Sequence, residues 1–367
     1  MLARIVGRIV VAGLCCTAGC WEGEPESSVA ETDVSAVESR PFVPSPVADA
    51  HSAVAAALVE LGFRETVGRP TDVVDVESGL LSFTVCDNSR SPEVLSGLAS
   101  LGYLAGDDRH EAFRAGWNLE HVFSGHRDDH NRFSARRNPY LLCREREGSS
   151  VFLVRLASQG PWSVEHVTRV TPSAPDSIDI DFRCRFLDVS RFGSRGYAGF
   201  FWANYMRDLR DAAIHFRGIV DDGAEEVWVE AESAEGFEVG TYLASGASAL
   251  EFDADHNMAL NLRSFSTPRI TCPLLISRSA NDMVLTLMFD RLRTASDEIR
   301  FSSFPPAVDF QYIIHAVQAG RSYGFRARLS WKRWPGREAC LGEFRAWQSE
   351  LFNSPQSPLP REGSQVP

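Results

Sequence analysis

The sequence predicts a mainly β protein, a large antiparallel β-sandwich with a small α/β segment on its N-terminal side. The first observation is an alternation of apolar and polar residues from Ser177 to Val189, typical of a half-buried strand. The second is that seven similar runs occur, separated by turn-forming residues rather than by long helices. The third is that strands of a parallel sheet are continuously apolar, so the alternation excludes a doubly wound fold.

These runs also set the boundaries of the predicted sandwich, which covers residues 106–352. A closing helix is predicted from Glu338 to Phe352, where apolar residues recur every three or four positions. The sandwich could extend to the size of a super-sandwich. The seven further strands are predicted at Ser150 to Leu156, Trp162 to Val170, Tyr197 to Tyr205, Ala213 to Ile219, Glu226 to Glu232, Met283 to Phe289 and Tyr323 to Trp331.

Residues 1–20 are predicted to be a secretory signal. Arg4 and Arg8 precede a short apolar run, and small residues precede Cys20. This order resembles a bacterial lipoprotein signal, which implies lipidation at Cys20 and an extracytoplasmic protein anchored by an N-terminal lipid. A secretory signal without a lipid, giving a secreted protein, and an uncleaved anchor are the alternatives. The apolar run is too short to span a bilayer.

Two further stretches are predicted to be disordered, because their Ser-rich and Pro-rich composition cannot bury enough apolar surface. They are the acidic linker 21–47 and the tail 353–367. Between linker and sandwich, residues 48–105 form the small α/β segment. Asp49 is expected to cap one helix, and a second helix is expected to begin at Ser91. A leucine-rich-repeat strand is an alternative interpretation of the spacing of Leu80, Phe83, Val85 and Asn88.

The composition excludes some partners. The formal net charge of −12 argues against nucleic acid, whose binding requires clustered Lys and Arg, so the lipid is the only membrane contact predicted. The sequence contains no C-x-x-C pair, so neither a redox motif nor a zinc ribbon is predicted. Disulfide pairing stays open among Cys86, Cys143, Cys184, Cys272 and Cys340.

Sequence motifs for common enzyme chemistry are missing. There is no G-x-S-x-G, no H-E-x-x-H, no P-loop and no G-x-G-x-x-G after a strand. We therefore predict no cofactor and no metal, and we leave open whether the protein is an enzyme.

The densest polar cluster begins at Glu120 and His121 and continues through His126 to His130. Histidines and carboxylates this close together can ligate a divalent cation. However, Arg127 would repel a cation, and the composition is also typical of a solvated loop. A ligand-contacting loop without a metal is the third alternative, and it places Glu120 and His121 among the predicted substrate-binding residues.

The other candidate residues follow this cluster. Arg136 and Arg137 offer guanidinium groups for hydroxyls or carboxylates, although a basic turn would have the same composition. Trp162 offers a ring for stacking on a sugar. Glu165 is the predicted general acid or base, a role that requires burial to raise its pKa. Alternation places Glu165 on the opposite face of its strand from His166.

Four motifs carry a resemblance to a group of uncharacterised exported bacterial proteins built on a β-sandwich, covering Trp117 to Trp347. This resemblance implies a fold but no established activity. At a further remove, a sandwich of this length is similar to the super-sandwich of aldose epimerases and related carbohydrate enzymes, and no catalytic residue is carried over on that basis. The motifs are Asn118 to His121, Phe200 to Tyr205, Asp309 to Tyr312 and Tyr323 to Arg328.

Two functions are predicted from these observations. The first is a carbohydrate-binding or carbohydrate-processing sandwich that uses Glu120, His121, Arg136, Arg137 and Trp162, with Glu165 as acid or base. The alternative is a non-enzymatic interaction or structural lipoprotein of the cell envelope. The first requires a polar cleft that brings these residues together, whereas the second requires an exposed apolar patch.

Overall fold

The structure is a computed structural model that describes residues 49–87, 96–105, 108–131, 140–210, 213–221, 225–232, 240–258, 262–304 and 307–353. Within these ranges it contains two α-helices and eighteen strands. They are α1 (Ala50–Glu60), β1 (Val73–Ser78), β2 (Leu81–Cys86), β3 (Gly97–Ala105), β4 (Asp108–Glu111), β5 (Phe113–Phe123), β6 (Leu141–Arg144), β7 (Val151–Arg155), β8 (Val164–Ser173), β9 (Ser177–Phe186), β10 (Ala198–Met206), β11 (Ala213–Ile219), β12 (Val227–Glu232), β13 (Gly240–Tyr242), β14 (Arg269–Arg278), β15 (Met283–Phe289), β16 (Asp297–Phe304), β17 (Ala307–Ile314), β18 (Ser322–Arg333) and α2 (Arg337–Asn353).

The strands form two antiparallel sheets of nine strands each. The first sheet has the order β1-β2-β3-β5-β10-β17-β16-β13, with β4 paired to β3. The second has the order β12-β11-β14-β15-β18-β9-β8-β7-β6. The predicted antiparallel β-sandwich is thus confirmed. The strands of the N-terminal segment lie in the first sheet, because β3 pairs with β5.

The core between the sheets consists of the inward-facing half of each strand. In β9 every second residue from Ile178 to Phe186 is buried there, as the alternation predicts. Aromatic rings fill the centre: Phe182 meets Trp202 at a centroid distance of 4.9 Å, and Trp202 stacks on Phe310 at 4.9 Å. Because aromatic side chains bury large apolar areas in specific geometries, these contacts fix how the two sheets face each other.

Both helices cover the outer face of the second sheet. Helix α1 begins at the predicted cap, since the Asp49 carboxylate accepts a hydrogen bond from the Ser52 backbone N–H. Its buried residues pack on β6, β7 and β8. Helix α2 packs on β14 and β15 with Leu341, Phe344 and Trp347. Each helix therefore covers a different part of this face.

The second helix predicted near Ser91 is wrong in its described part, because residues 97–105 form strand β3. Two features explain the error. Gly97 has a φ of +126°, which no helix contains. A β-bulge at Ala99 also places both Leu98 and Leu101 in the core, three residues apart, which imitates helical spacing. The leucine-rich-repeat alternative is wrong as well, because β1, β2 and β3 pair antiparallel.

Neither described helix is long and apolar enough to cross a membrane. The five cysteines of the described chain are buried free thiols. Burial raises the pKa of Cys143 to about 11 and that of Cys340 to about 12. These thiols are therefore protonated and unreactive near neutral pH.

Candidate functional site

A β-bulge in β5 turns two predicted site residues to the same side of the first sheet. Phe201 of β10 pairs with His121, and the next residue, Trp202, pairs with Leu119, so Glu120 is the extra residue. Leu119 faces the core, whereas Glu120 and His121 face outward. The Tyr205 hydroxyl donates to the Glu120 carboxylate at 3.1 Å, and the His121 ring contacts Phe201 at a centroid distance of 5.5 Å.

Polar residues continue across the outer face of this sheet in two cross-strand rows. One row runs from His121 through Phe201 and Gln311 to Arg300, and each is the register partner of the next. In the adjacent row Ser302 pairs with both Asp309 and Thr241, and Asn118 pairs with Ala203. We call eight of these residues the polar face: Asn118, Glu120, His121, Thr241, Arg300, Ser302, Asp309 and Gln311.

The polar face is buried although it lies on the outside of a sheet. None of its eight side chains is in a residue more than 6% exposed. Large apolar residues adjoin it on the same side of the sheet. Phe123, Phe201 and Ile313 from the strands pack against Met258 and Leu262 from the segment between β13 and β14. The outer face of the first sheet therefore combines a polar area with an apolar border.

Several atoms of the polar face have no hydrogen-bond partner among the described residues. They are both amide atoms of Asn118, Oε1 of Gln311, Oγ of Ser302 and Nη1 of Arg300. A buried polar atom without a partner costs about 1–3 kcal/mol, so native proteins rarely keep several together. Four such side chains on one face therefore need a specific explanation.

Other bonds hold these side chains in place. Gln311 donates through Nε2 to the Thr241 hydroxyl at 2.9 Å. Arg300 donates through Nε to Glu298 at 2.7 Å and through Nη2 to the Ser248 carbonyl at 2.9 Å. Burial lowers the pKa of Arg300. For Glu298 burial alone would raise the pKa, but the bonds to His315 and Arg300 keep it below its usual value. Arg300 and Glu298 thus form a buried ion pair.

The histidine cluster after β5 has a structural role at the edge of this face. His126 Nδ1 lies 3.0 Å from the Asp253 carboxylate, and His256 Nε2 lies 2.9 Å from the Ser124 carbonyl. These bonds tie the loop after β5 to the segment between β13 and β14. No group of three or more metal-ligating side chains occurs in the described chain, so the divalent-cation alternative gains no support.

The structure does not bring the predicted site residues together. Glu120 and His121 lie on the polar face. Trp162 instead lies in the core, stacked on Phe192 at 5.4 Å, and it precedes the strand on which it was predicted. Glu165 lies on the outer face of the second sheet and pairs with Arg185 at 3.1 Å. Arg136 and Arg137 lie outside the described residues.

Six members of the polar face were not among the predicted site residues: Asn118, Thr241, Arg300, Ser302, Asp309 and Gln311. One signal was present in the sequence, because Asp309 and Gln311 interrupt the otherwise apolar strand β17 at positions i and i+2. Two polar residues at strand spacing in an apolar run indicate one polar face.

Comparisons with known proteins leave the family open, since no family model and no curated protein matches the chain. Among solved structures, the GalM/aldose epimerase homologue from C. elegans aligns with 73% of this chain and 100% of its own, at 10% identity and a TM-score of 0.37. The α-galactosidase from Lactobacillus brevis aligns with 76% of this chain and 41% of its own, at 8% identity and a TM-score of 0.38.

A third structure, the GH36 α-galactosidase AgaA from Geobacillus stearothermophilus in complex with stachyose, aligns with 72% of this chain and 41% of its own. Its identity is 11% and its TM-score is 0.34. The chain thus spans less than half the length of either α-galactosidase. These neighbours are carbohydrate-related proteins, but TM-scores this low carry no argument about the present chain.

Proposed function

We propose that the polar face binds a neutral carbohydrate. The observation that carries the proposal is the set of buried amide, hydroxyl and guanidinium atoms of Asn118, Gln311, Ser302 and Arg300 that lack partners. A sugar hydroxyl both donates and accepts, so one hydroxylated ligand can satisfy the donors and the acceptors of this set. The rings of Phe201 and Tyr205 lie on the same side of the sheet, among the apolar residues that border these atoms.

Charge favours a neutral ligand over an anionic one. The guanidinium of Arg300 is already neutralised by Glu298, and both side chains are 1% exposed. Glu120 and Asp309 add carboxylates that would repel an anion. A purely apolar ligand would leave the amide atoms of Asn118 without partners and would keep their desolvation cost. A polyhydroxylated, uncharged molecule avoids repulsion by the carboxylates and supplies partners to the amide atoms.

Within this proposal, binding requires only the hydrogen-bonding groups, whereas chemistry requires a proton-transfer group. Glu120 and His121 are the adjacent acid–base candidates, with His121 Nε2 at 3.9 Å from Glu120 Oε1. Glu165 is a poor candidate, because it lies on the other sheet in an ion pair. Processing of a sugar would therefore depend on Glu120 and leave the Glu165→Gln variant active.

The test is thermal unfolding of the full chain against a panel of neutral mono- and oligosaccharides. A ligand that binds only the folded state at about 100 times its Kd adds about 2.7 kcal/mol to the free energy of unfolding. We expect one sugar class to raise the midpoint in the parent but not in Asn118→Leu. Thr286→Val is the matched control, because its buried hydroxyl on the second sheet also lacks a partner.

A panel without any shift would contradict the proposal. An equal shift in the parent and in Asn118→Leu would contradict the position of the site. No specific observation favours the interaction-protein alternative, because the exposed large apolar side chains of the described chain are spread over separate elements. They are Val59, Val73, Leu80, Leu187, Val227 and Phe352.

We also propose that the protein is exported and anchored through a lipid on Cys20. The support is the order of basic, apolar and small residues before that cysteine. Metabolic labelling of the full chain with a radioactive fatty acid in a bacterial host is the test. Cys20→Ala is expected to lose the label and to leave the membrane fraction, while the neighbouring control Cys16→Ala keeps both. Equal labelling of the two variants would contradict lipidation at Cys20.

A further inference from the structure

A second site is suggested by a cavity of about 380 Å³ on the outer face of the second sheet. Its lining comes from β8, β9 and β18, from the turn between β6 and β7, from the turn after α1 and from the last turns of α2. It shares no residue with the polar face, which belongs to the other sheet. A volume of this size is within the range of small-molecule pockets.

Most charges that line the cavity are already paired. Arg328 binds both oxygens of Asp179, at 2.7 and 3.0 Å, and also reaches Glu350. Arg169 pairs with Glu65 and with Asp181. Both arginines are therefore paired without a ligand.

Arg326 is different from the other two arginines. Its side chain makes no hydrogen bond within the described chain, and its buried Nε has no partner there. Its one ion pair is long, with Nε at 3.9 Å from an oxygen of Asp290. Asp290 is already bound by Arg291, whose Nη1 reaches both of its oxygens, at 3.1 and 2.9 Å. A guanidinium with free donors therefore faces a cavity, and its natural partner is a carboxylate.

The rest of the lining limits what that carboxylate can belong to. Five carboxylates line the cavity against three guanidinium groups, so an anion with more than one negative charge would be repelled. The same excess favours a positive group on the ligand. Trp347 and Leu351 of α2 supply an apolar wall. The lining thus offers one site for a carboxylate, several acidic groups for a cation, and a surface for an apolar body.

We propose that this cavity binds a free α-amino acid with an apolar side chain. Its carboxylate binds Arg326, its ammonium faces the acidic side chains such as Glu350, and its side chain packs on Trp347 and Leu351. A zwitterion has no net charge, so it enters an acidic protein without the repulsion that a simple anion would meet. The site is independent of the carbohydrate proposal.

Isothermal titration of the full chain with L-phenylalanine tests the proposal. Hydrocinnamate lacks the ammonium group and phenethylamine lacks the carboxylate, so each is expected to bind about tenfold more weakly or not at all. Arg326→Gln is expected to weaken binding of L-phenylalanine by about tenfold or more. Arg210→Gln is the control, since Arg210 also makes one long ion pair, at 3.8 Å to Asp282, outside the cavity.

The unfolding midpoint of Arg326→Gln shows whether that variant is folded. Leu351→Asp is the second variant, because it adds a negative charge and removes apolar wall without touching Arg326, and it is also expected to lose binding. Absence of binding to the parent, or equal binding by the parent and both variants, would overturn the site. Hydrocinnamate that binds as tightly as L-phenylalanine would overturn the amino-acid assignment.

Discussion

The outer faces of the two sheets are both rich in polar residues, yet they use them differently. On the second sheet, arginines and carboxylates of neighbouring strands bind one another between two covering helices. Asp181 is the centre of this network and accepts from Arg169 and from Arg183. On the first sheet, four buried side chains with atoms that lack partners in the described chain lie on one face, whereas on the second sheet Thr286 and Arg326 have such atoms on separate strands. Polar side chains that satisfy one another stabilise the fold, whereas the group of unsatisfied side chains on one face supports the proposal of a ligand there.

The connection to helix α1 makes the second face a structural element. Arg183 binds Asp181 through two nitrogens and also donates to the carbonyls of Leu61 and Gly62 at the end of α1. These carbonyls have no partner within the helix, so the arginine supplies one. The Asp181 carboxylate thereby positions the Arg183 guanidinium, which binds the end of α1 to the second sheet.

The largest change in the free energy of unfolding is expected when this network loses its central carboxylate. Asp181→Ala leaves two arginines, which are 9% and 19% exposed, without their shared carboxylate. We expect the free energy of unfolding to fall by about 3 kcal/mol, as for other buried pairs that lose one partner. Denaturant unfolding measures it. The control is Asp282→Asn, which removes an exposed carboxylate with two arginine partners and keeps a residue type that tolerates the φ of +56° at this position. It is expected to cost about 0.5 kcal/mol or less.

On the first sheet, by contrast, a substitution is expected to increase the free energy of unfolding. Asn118→Leu replaces a buried amide that lacks partners by an apolar group of similar size, so the free energy of unfolding should rise by about 1–2 kcal/mol. Binding of the sugar should be lost at the same time, because functional sites trade stability for activity. A stability loss of similar size would show instead that Asn118 is satisfied in the folded protein, and would remove the contrast between the two faces.

A third effect depends on pH and concerns the core between the faces. His166 is buried among Tyr140, Phe182 and Phe200, and neither ring nitrogen has a partner in the described chain. Burial, and then the charge of Arg155, hold its pKa well below the usual 6.5. The unfolded chain therefore takes up the proton first, so this histidine lowers stability as the pH falls below about 6.5.

The measurement is the free energy of unfolding between about pH 7.5 and pH 5. We expect His166→Leu to flatten the decline seen in the parent. His256, whose pKa burial also lowers, remains in the variant and accounts for a residual slope. Parallel curves for the parent and for the variant would contradict the neutral state of His166.

The smallest change in stability is expected for Glu165→Gln. Its carboxylate pairs with Arg185 at the edge of the second face, where Arg185 keeps Glu60 as a second partner. Loss of a partly exposed pair costs about 0.5 kcal/mol. Sugar binding, measured by titration, should be unchanged, because the residue belongs to the other sheet. Loss of binding in this variant would restore Glu165 as a site residue.

The sequence predicts the sandwich well, because alternation is a local property. The runs at β9, β11 and β15 were found with bounds within a few residues of the observed ones. The bulges could not be predicted, since they depend on the partner strand. One of them places Leu98 and Leu101 on the same face and produced the incorrect helix. Another places Glu120 and His121 on the same face.

The candidate site was only partly predictable, because its residues are far apart in the sequence. Asn118 and Gln311 are separated by most of the sandwich in sequence and lie on the same face only because β10 pairs with both β5 and β17. Strand order of this kind is not encoded in any local pattern. The position of Trp162 in the core was not predictable, because an aromatic residue near a carboxylate has the same sequence pattern in a core as in a binding site. Its burial is a property of the assembled sheets.

Hydrogen–deuterium exchange tests the central claim most directly, by comparing the full chain alone with the chain saturated by the sugar that gives the largest thermal shift. Our account predicts slower exchange in β5, β16 and β17, which carry the polar face, and unchanged exchange in β8 and β9. Protection confined to β8 and β9 would contradict it, because the sugar would then occupy the ion-paired face of the second sheet.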